Sequence, residues 1–391
     1  MNDIVLWRKC ILGPVEGCEW ASEMVLNPSL IEDPETKRLH MLVRVSGPMR
    51  EKKLEGKPMP FPIYFAYAYS DDGENFTFDL ERPALSPAVK YTPEDLYITN
   101  GRGESVPNYA NGCLEDPRTF FIEGECYCAI AARTFPPGPY WEHDVPTQCM
   151  PDWAKADNSP IGNQGNVTTT VLYKIDLKAL AKRDYDNAFT YITDLTDPVM
   201  GEDRDVFIFP KKMMIDGKMQ YVMVHRPQHP ENYDCMSETR PSIVISAAED
   251  LYSFAKRATK RRVLYAPNRP WQGNRVGAST PPIAMGDGRW LIGFHGKQDD
   301  EHGYGQSFMI LKEVENDFPE IEYLYPEKWI VNEADFEIPR KFKIPCVFFT
   351  GIVKQGDRLL VSYGAADEFA AVMALDYNKT VQTLEKYPYS K

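Results

Sequence analysis

Much is missing from this sequence, and each absence removes a class of function. No apolar stretch is long enough to span a bilayer. Residues 1–12 hold a short apolar run broken by Arg8 and Lys9, without a small-residue cleavage site, so no secretory signal is expected. No basic block offsets a net charge of −13, and the acidic residues are spread along the chain. Neither nucleic acid nor a membrane surface is therefore an expected partner. A few local arginines can still reverse the potential inside a cleft, which leaves an anionic small substrate open. The eight cysteines lack C-x-x-C spacing. Cys126 and Cys128 lie two apart on one face of an expected strand, with no histidine at zinc-ligand spacing. They read as reduced core thiols in a cytoplasmic protein, and no metal site is expected. Gly101-Arg-Gly103 has no strand-to-helix context and is not a nucleotide fingerprint.

Helical periodicity is scarce too, with short candidates at 177–183 and 249–257. What the chain does contain is apolar alternation, bounded everywhere by Gly, Pro, Asp and Asn. Residues 27–44, 116–133, 205–226, 280–295 and 345–363 each read as a strand, a polar turn and a second strand ending in Arg, His or Tyr. A further strand pair is expected after each, at 64–78, 167–177, 243–254, 308–314 and 370–377. Five such units predict an all-β fold, a five-bladed β-propeller, as one domain over residues 1–391. Inner strands of a propeller surround its axis, so Arg44, Asp116, His225, His295 and Tyr363 are expected to converge there. The largest addition, 135–166, carries Tyr140, Trp141 and Trp153 with His143 and Asp144. Its rings suit stacking on sugar faces at a cleft mouth; a lid or subunit contact is the alternative, which keeps a homo-oligomer open.

The unit beginning Asn-Gly-Cys-Leu-Glu-Asp-Pro-Arg, at 111–118, organises the rest. Pro117 biases Asp116 toward an extended conformation. Strand alternation then puts Asp116 and Arg118 on one face and Glu115 on the other. A carboxylate held at a strand mouth is a candidate general acid.

Asn27-Pro with Arg44, Ser70-Asp-Asp-Gly-Glu-Asn-Phe76, Glu115-Asp-Pro-Arg118, Phe209-Pro-Lys-Lys212 with His225-Arg-Pro227, Gly277-Ala-Ser-Thr-Pro-Pro282 with His295-Gly296, and Tyr363-Gly-Ala-Ala-Asp367 occur in this order. Over about residues 27–372 the chain thereby resembles glycoside hydrolase family 130, the β-mannoside phosphorylases and their hydrolase relatives. The resemblance implies a five-bladed propeller that cleaves a β-mannosidic bond with inversion, using inorganic phosphate and giving α-mannose 1-phosphate. It implies Asp116 as general acid, its proton passing through a mannosyl hydroxyl to the glycosidic oxygen. Phosphate is then a co-substrate, and no other cofactor is expected. The family pattern places Arg204, Arg275 and His295 at the phosphate, with Arg275 where relatives often have Lys. Asn27, Arg44 and Asp367 fall at mannosyl contacts, and Arg118 and Tyr363 join the substrate set. Two positions depart from the pattern. Tyr64 stands where many phosphorylases have a sugar-gripping Arg, and Asp205 where an amide often helps to hold phosphate. An inward carboxylate at 205 would repel phosphate or serve as the base of a β-mannosidase. A sugar-binding propeller without turnover is the remaining alternative.

Overall fold

The computed structural model describes residues 3–48, 53–54, 57–58, 63–138, 150–156, 161, 164–233 and 237–390. Its strands form five small antiparallel sheets set around one axis, a five-bladed β-propeller. From the axis outward, blade I runs Met24–Glu32, Leu39–Ser46, Ile63–Ser70 and Thr77–Asp79. Blade II runs Cys113–Ile122, Glu125–Arg133, Thr169–Ile175 and Phe189–Asp194. Blade III begins with Asp203–Ile208 and Lys218–Pro227, and blade IV with Val276–Ala278 and Arg289–Lys297. Blade V has Val347–Gln355, Arg358–Ala365 and Phe369–Asp376.

The outermost strand of blade V comes from the other end of the chain: Val5–Leu12 pairs with Phe369–Asp376. The ring is thus closed by main-chain hydrogen bonds between the two ends of the chain, with Val5–Leu12 as the edge strand of blade V. The part of the N-terminal apolar run that contains Arg8 and Lys9 is this closing strand. It is stapled by Arg8, whose guanidinium donates to Glu337 Oε2 at 2.6 Å; the Tyr363 hydroxyl donates to Glu337 Oε1, also at 2.6 Å. Glu337 is fully buried, and the Glu333 and Ala334 amides satisfy it further.

Several expected strand pairs prove to be single strands. Residues 167–177 and 243–254 supply the third strand of their blades, while the fourth follows later, at Phe189–Asp194 and Lys260–Tyr265. The fourth strand of blade IV, Asp317–Leu324, likewise lies beyond 308–314, and 370–377 ends where helix Tyr377–Leu384 begins. These outer strands are half-exposed, Lys260–Tyr265 showing almost no in-out contrast, so alternation gave little signal. Short helices form at Leu177–Ala181 and Phe254–Arg257. Helix Tyr377–Leu384 had no counterpart in the sequence reading; Asp376 caps it, accepting from the Lys379 amide. Cys126 and Cys128 are buried unpaired thiols in the layer between blades I and II.

Removing the Arg8 side chain strands a buried carboxylate at the ring closure. Arg8→Ala is therefore expected to cost about 3 kcal/mol of unfolding free energy in urea. A loss below roughly 1 kcal/mol would show that strand pairing alone holds the closure.

Candidate active site

Every blade contributes to one cavity of about 450 Å³, lined among the described residues by five arginines and five carboxylates. Three of its polar side chains are presented by the same backbone device. Asn27, Asp116 and Asp205, each on the inner strand of its blade, have φ of 45°, 47° and 58°. At each, the ladder to the second strand slips, between Leu26 and Ser29, Glu115 and Arg118, and Arg204 and Phe207. Such a bulge re-aims a side chain, and Asn and Asp tolerate left-handed backbone better than other non-glycine residues. Asp116 is accordingly left-handed, not extended as the following proline suggested. The bulge also cancels alternation: Glu115 and Asp116 both line the cavity.

The two acids share their cations. Arg44 Nη1 lies 2.8 Å from Asp116 Oδ1 and 3.5 Å from Glu115 Oε2. Arg204 Nη1 lies 3.0 Å from Glu115 Oε2 and 3.7 Å from Asp116 Oδ2. Asn27 Nδ2 donates to Asp116 Oδ1 at 2.7 Å. One oxygen of Asp116 is therefore pinned by two donors, while Oδ2 keeps only the long ion pair among the described residues. Burial opposes charge on Glu115, but Arg44, Arg204 and Arg133 outweigh it and hold its carboxyl well below the usual range.

Asp205 anchors the other half. Arg118 Nη2 donates to its Oδ1 at 2.7 Å, Arg226 Nε donates to Oδ2, and His295 Nε2 lies 3.5 Å from Oδ2. Burial disfavours its charge; Arg226 and Arg118 prevail and keep it ionised. Burial drives His295 down to about 3, with the neighbouring arginines adding to the effect, so the ring is neutral. Gly277 makes this approach possible: a Cβ there would lie 2.3 Å from Asp205 Oδ2 and 2.6 Å from His295 Cε1. Arg275, one residue before the strand that carries Gly277, differs from its neighbours. Its side chain has no carboxylate partner among the described residues, and its buried Nε has no hydrogen bond.

Of the residues expected from sequence, Asn27, Arg44, Asp116, Arg204, Asp205, Arg275, His295 and Asp367 line the cavity. Burial raises the Asp367 carboxyl above its ordinary value. Four expected residues do not line it. Arg118 lies beneath, holding Asp205 and the Ser279 carbonyl. Tyr363 faces the core and is spent on Glu337. Tyr64 packs in the apolar layer between blades I and V, and its neighbour Ile63 lines the cavity instead. His225 is sealed between Asp203, at 2.7 Å, and Ser246, at 2.8 Å. That Ser-His-Asp series is fully buried and tethers the strand carrying Asp205. Sequence reasoning chose the wrong member of the pair: Arg226, one residue on and on the opposite face, reaches the cavity. It also passed over Glu115, Arg133, Glu202 and Tyr304; Arg133 had a signal, the recurring Arg or His at second-strand ends.

Pro137 and Gly138, at the start of the long addition, reach the cavity. Trp153 does not form a platform: its ring sits edge-on to Phe135 and its N–H donates to the Tyr91 carbonyl at 3.2 Å. Tyr140, Trp141, His143 and Asp144 lie outside the described residues.

Residues 62–386 match the family described as β-1,4-mannooligosaccharide phosphorylase. The chain belongs to glycoside hydrolase family 130. The family match begins after Asn27 and Arg44, which complete the site from blade I. A 1,2-β-oligomannan phosphorylase of Thermoanaerobacter sp. (strain X514) is 29% identical to this family-130 chain, covering 94% of it and 95% of the relative. A β-1,2-mannobiose phosphorylase of the same organism is 25% identical over 96% and 97% of the two chains. The structure of the Listeria innocua β-1,2-mannobiose phosphorylase superposes with a TM-score of 0.61 at 20% identity, covering 96% and 95%, and so shares the fold.

Two neutral histidines give this family-130 protein a pH signature. Burial holds His40 at about 4 and His295 at about 3, whereas the unfolded chain takes up protons below about pH 6.5. Stability is therefore complete above that pH and falls as pH drops toward the folded values. Between pH 7.5 and 5.5 the loss should be roughly 2–3 kcal/mol in urea unfolding. Equal stability at both pH values would mean that the rings protonate in place.

Proposed function

We propose that this cavity cleaves a β-mannoside by inverting phosphorolysis, releasing α-mannose 1-phosphate and a shortened acceptor. The observation that carries the reading is the unpaired guanidinium of Arg275, standing with Arg226 beside the neutral His295. A cation set in the cavity wall without a carboxylate partner calls for an anion, and the Arg275 guanidinium presents a fork that matches phosphate oxygens. Arg204, by contrast, is committed to Glu115, Glu202 and Thr168, and belongs to the acid side.

Asp116 is the general acid of this proposal. Asn27 and Arg44 hold its Oδ1, leaving Oδ2 to pass a proton, through a mannosyl hydroxyl, to the glycosidic oxygen. As that C–O bond breaks, an unprotonated phosphate oxygen attacks the anomeric carbon from the side of Arg275, Arg226 and His295. The inverted ester forms, and the acceptor leaves with the proton. Asp367, whose raised carboxyl is suited to hydroxyl contacts, joins Asn27 and Arg44 at the mannosyl ring. The β-mannosidase alternative needs Asp205 as a base. Two arginines already hold that carboxylate in its ionised form, which makes it a weak proton acceptor.

A β-1,2-linked mannoside is the proposed substrate, supported by the names of the two full-length relatives. A cytoplasmic location belongs to the same proposal, supported by six unpaired thiols among the described residues.

Initial rates on β-1,2-mannobiose should rise from near zero and saturate with phosphate; a substantial phosphate-independent rate releasing free mannose would overturn the proposal. Asp116→Asn should lose at least about a thousandfold in kcat, and near-normal turnover in the folded variant would remove Asp116 from its role. Arg275→Ala should raise the phosphate KM or depress kcat by about a hundredfold. An unchanged phosphate dependence would place the anion elsewhere.

A further inference from the structure

Around the proposed phosphate position the cavity wall presents hydrogen-bond acceptors as well as cations. A chain of hydrogen bonds fixes this. Gln306 Nε2 donates to the Val347 carbonyl at 2.7 Å, which turns its amide oxygen toward Ser279. That oxygen only accepts, so the single Ser279 hydroxyl proton, 2.7 Å away, is used there. Ser279 Oγ must then accept from His295 Nδ1 at 3.0 Å. The neutral ring therefore carries its proton on Nδ1, and Nε2 is a bare lone pair.

Nε2 lies 3.5 Å from Asp205 Oδ2, an oxygen of an ionised carboxylate. Arg226 occupies one direction of Oδ2, and a carboxylate oxygen has a second to offer. Two acceptors thus stand side by side with no proton between them, at the edge of the cavity that Arg275 makes cationic. Arg118, Arg226, Arg275 and Tyr304 are the other titratable groups facing the pair, and burial pushes the Tyr304 phenol up to about 12. None of them changes charge near neutral pH.

We propose that Asp205 and His295 Nε2 read the P–OH group of hydrogen phosphate, so that the site takes a protonated oxyanion and rejects one without a proton. Arg275 and Arg226 bind the negative oxygens, while the P–OH donates into the acceptor pair. Sulfate has nearly the same shape but is fully deprotonated near neutral pH; it meets the pair with acceptors only. Under this inference, the carboxylate standing where an amide is common makes the site more selective without disabling it. The inference rests on the phosphorolytic reading.

The test is calorimetric binding of phosphate and of sulfate to the unmodified protein at pH 7, paired with sulfate inhibition of turnover. Sulfate should bind at least about a hundredfold more weakly than phosphate, because a polar site built for a donor strongly rejects the analogue lacking it. Arsenate, which keeps an acidic hydroxyl, should replace phosphate. In Asp205→Asn the amide can donate, and the gap between the two anions should close to below about tenfold. Sulfate binding as tightly as phosphate to the unmodified protein, with turnover still phosphate-dependent, would overturn the inference alone. Turnover without phosphate, together with no phosphate binding, would overturn the phosphorolytic reading along with it. If Asp205→Asn fails to fold, the comparison on the unmodified protein decides.

Discussion

Burying charge at the axis is the constraint on which this molecule depends. Isolated ions are far too costly to hold in such a place, so each carboxylate must have a cation and each cation a carboxylate. Around the cavity the rule is met mainly by sharing, while Asp367, with no ion pair among the described residues, is pushed by burial toward its neutral form. Arg44 and Arg204 each span Glu115 and Asp116, while Asp205 takes both Arg118 and Arg226. Arg275 is the exception among the described cavity arginines, and an exception to so strict a rule is the best indicator of where an anion belongs. The chain as a whole carries −13, yet its acidic surface leaves this local balance intact.

Presenting those charges costs the backbone some strain. Left-handed Asn27, Asp116 and Asp205 are each unfavourable by of order 1 kcal/mol, and Asn27 and Asp116 also precede a proline. The blades repay this through long ladders and an apolar layer between each pair of sheets. Strain of this kind persists only where the surroundings over-determine it. Here the bulge is held by the same ion pairs that it creates: Asp116 could not reach Asn27 and Arg44 from an extended backbone facing the other way.

Ring closure extends the argument to the chain ends. The N-terminal strand completes blade V, and Arg8 brings a cation to a buried Glu337 that Tyr363 also needs. Tyr363 had been expected at the axis because its unit ends as the others do. The repeat was real; its last member had been put to use holding the two ends together.

The sequence by itself determined the blade count, the family and most of the cavity-lining acids and arginines. Apolar alternation and turn chemistry are local, and a propeller repeats them five times, so even weak signals reinforce one another. It left to the tertiary structure which member of a neighbouring pair faces the axis: Arg226 over His225, Ile63 over Tyr64, and Glu115 alongside Asp116. Strand alternation has period two, so one bulge or one residue of register moves every following side chain to the other face. The N-terminal strand was equally illegible, because its partner, Phe369–Asp376, is more than 350 residues away along the chain. Tertiary structure also decided the protonation of His295: the Gln306–Ser279 chain and burial fix it, and no stretch of sequence brings those three residues together.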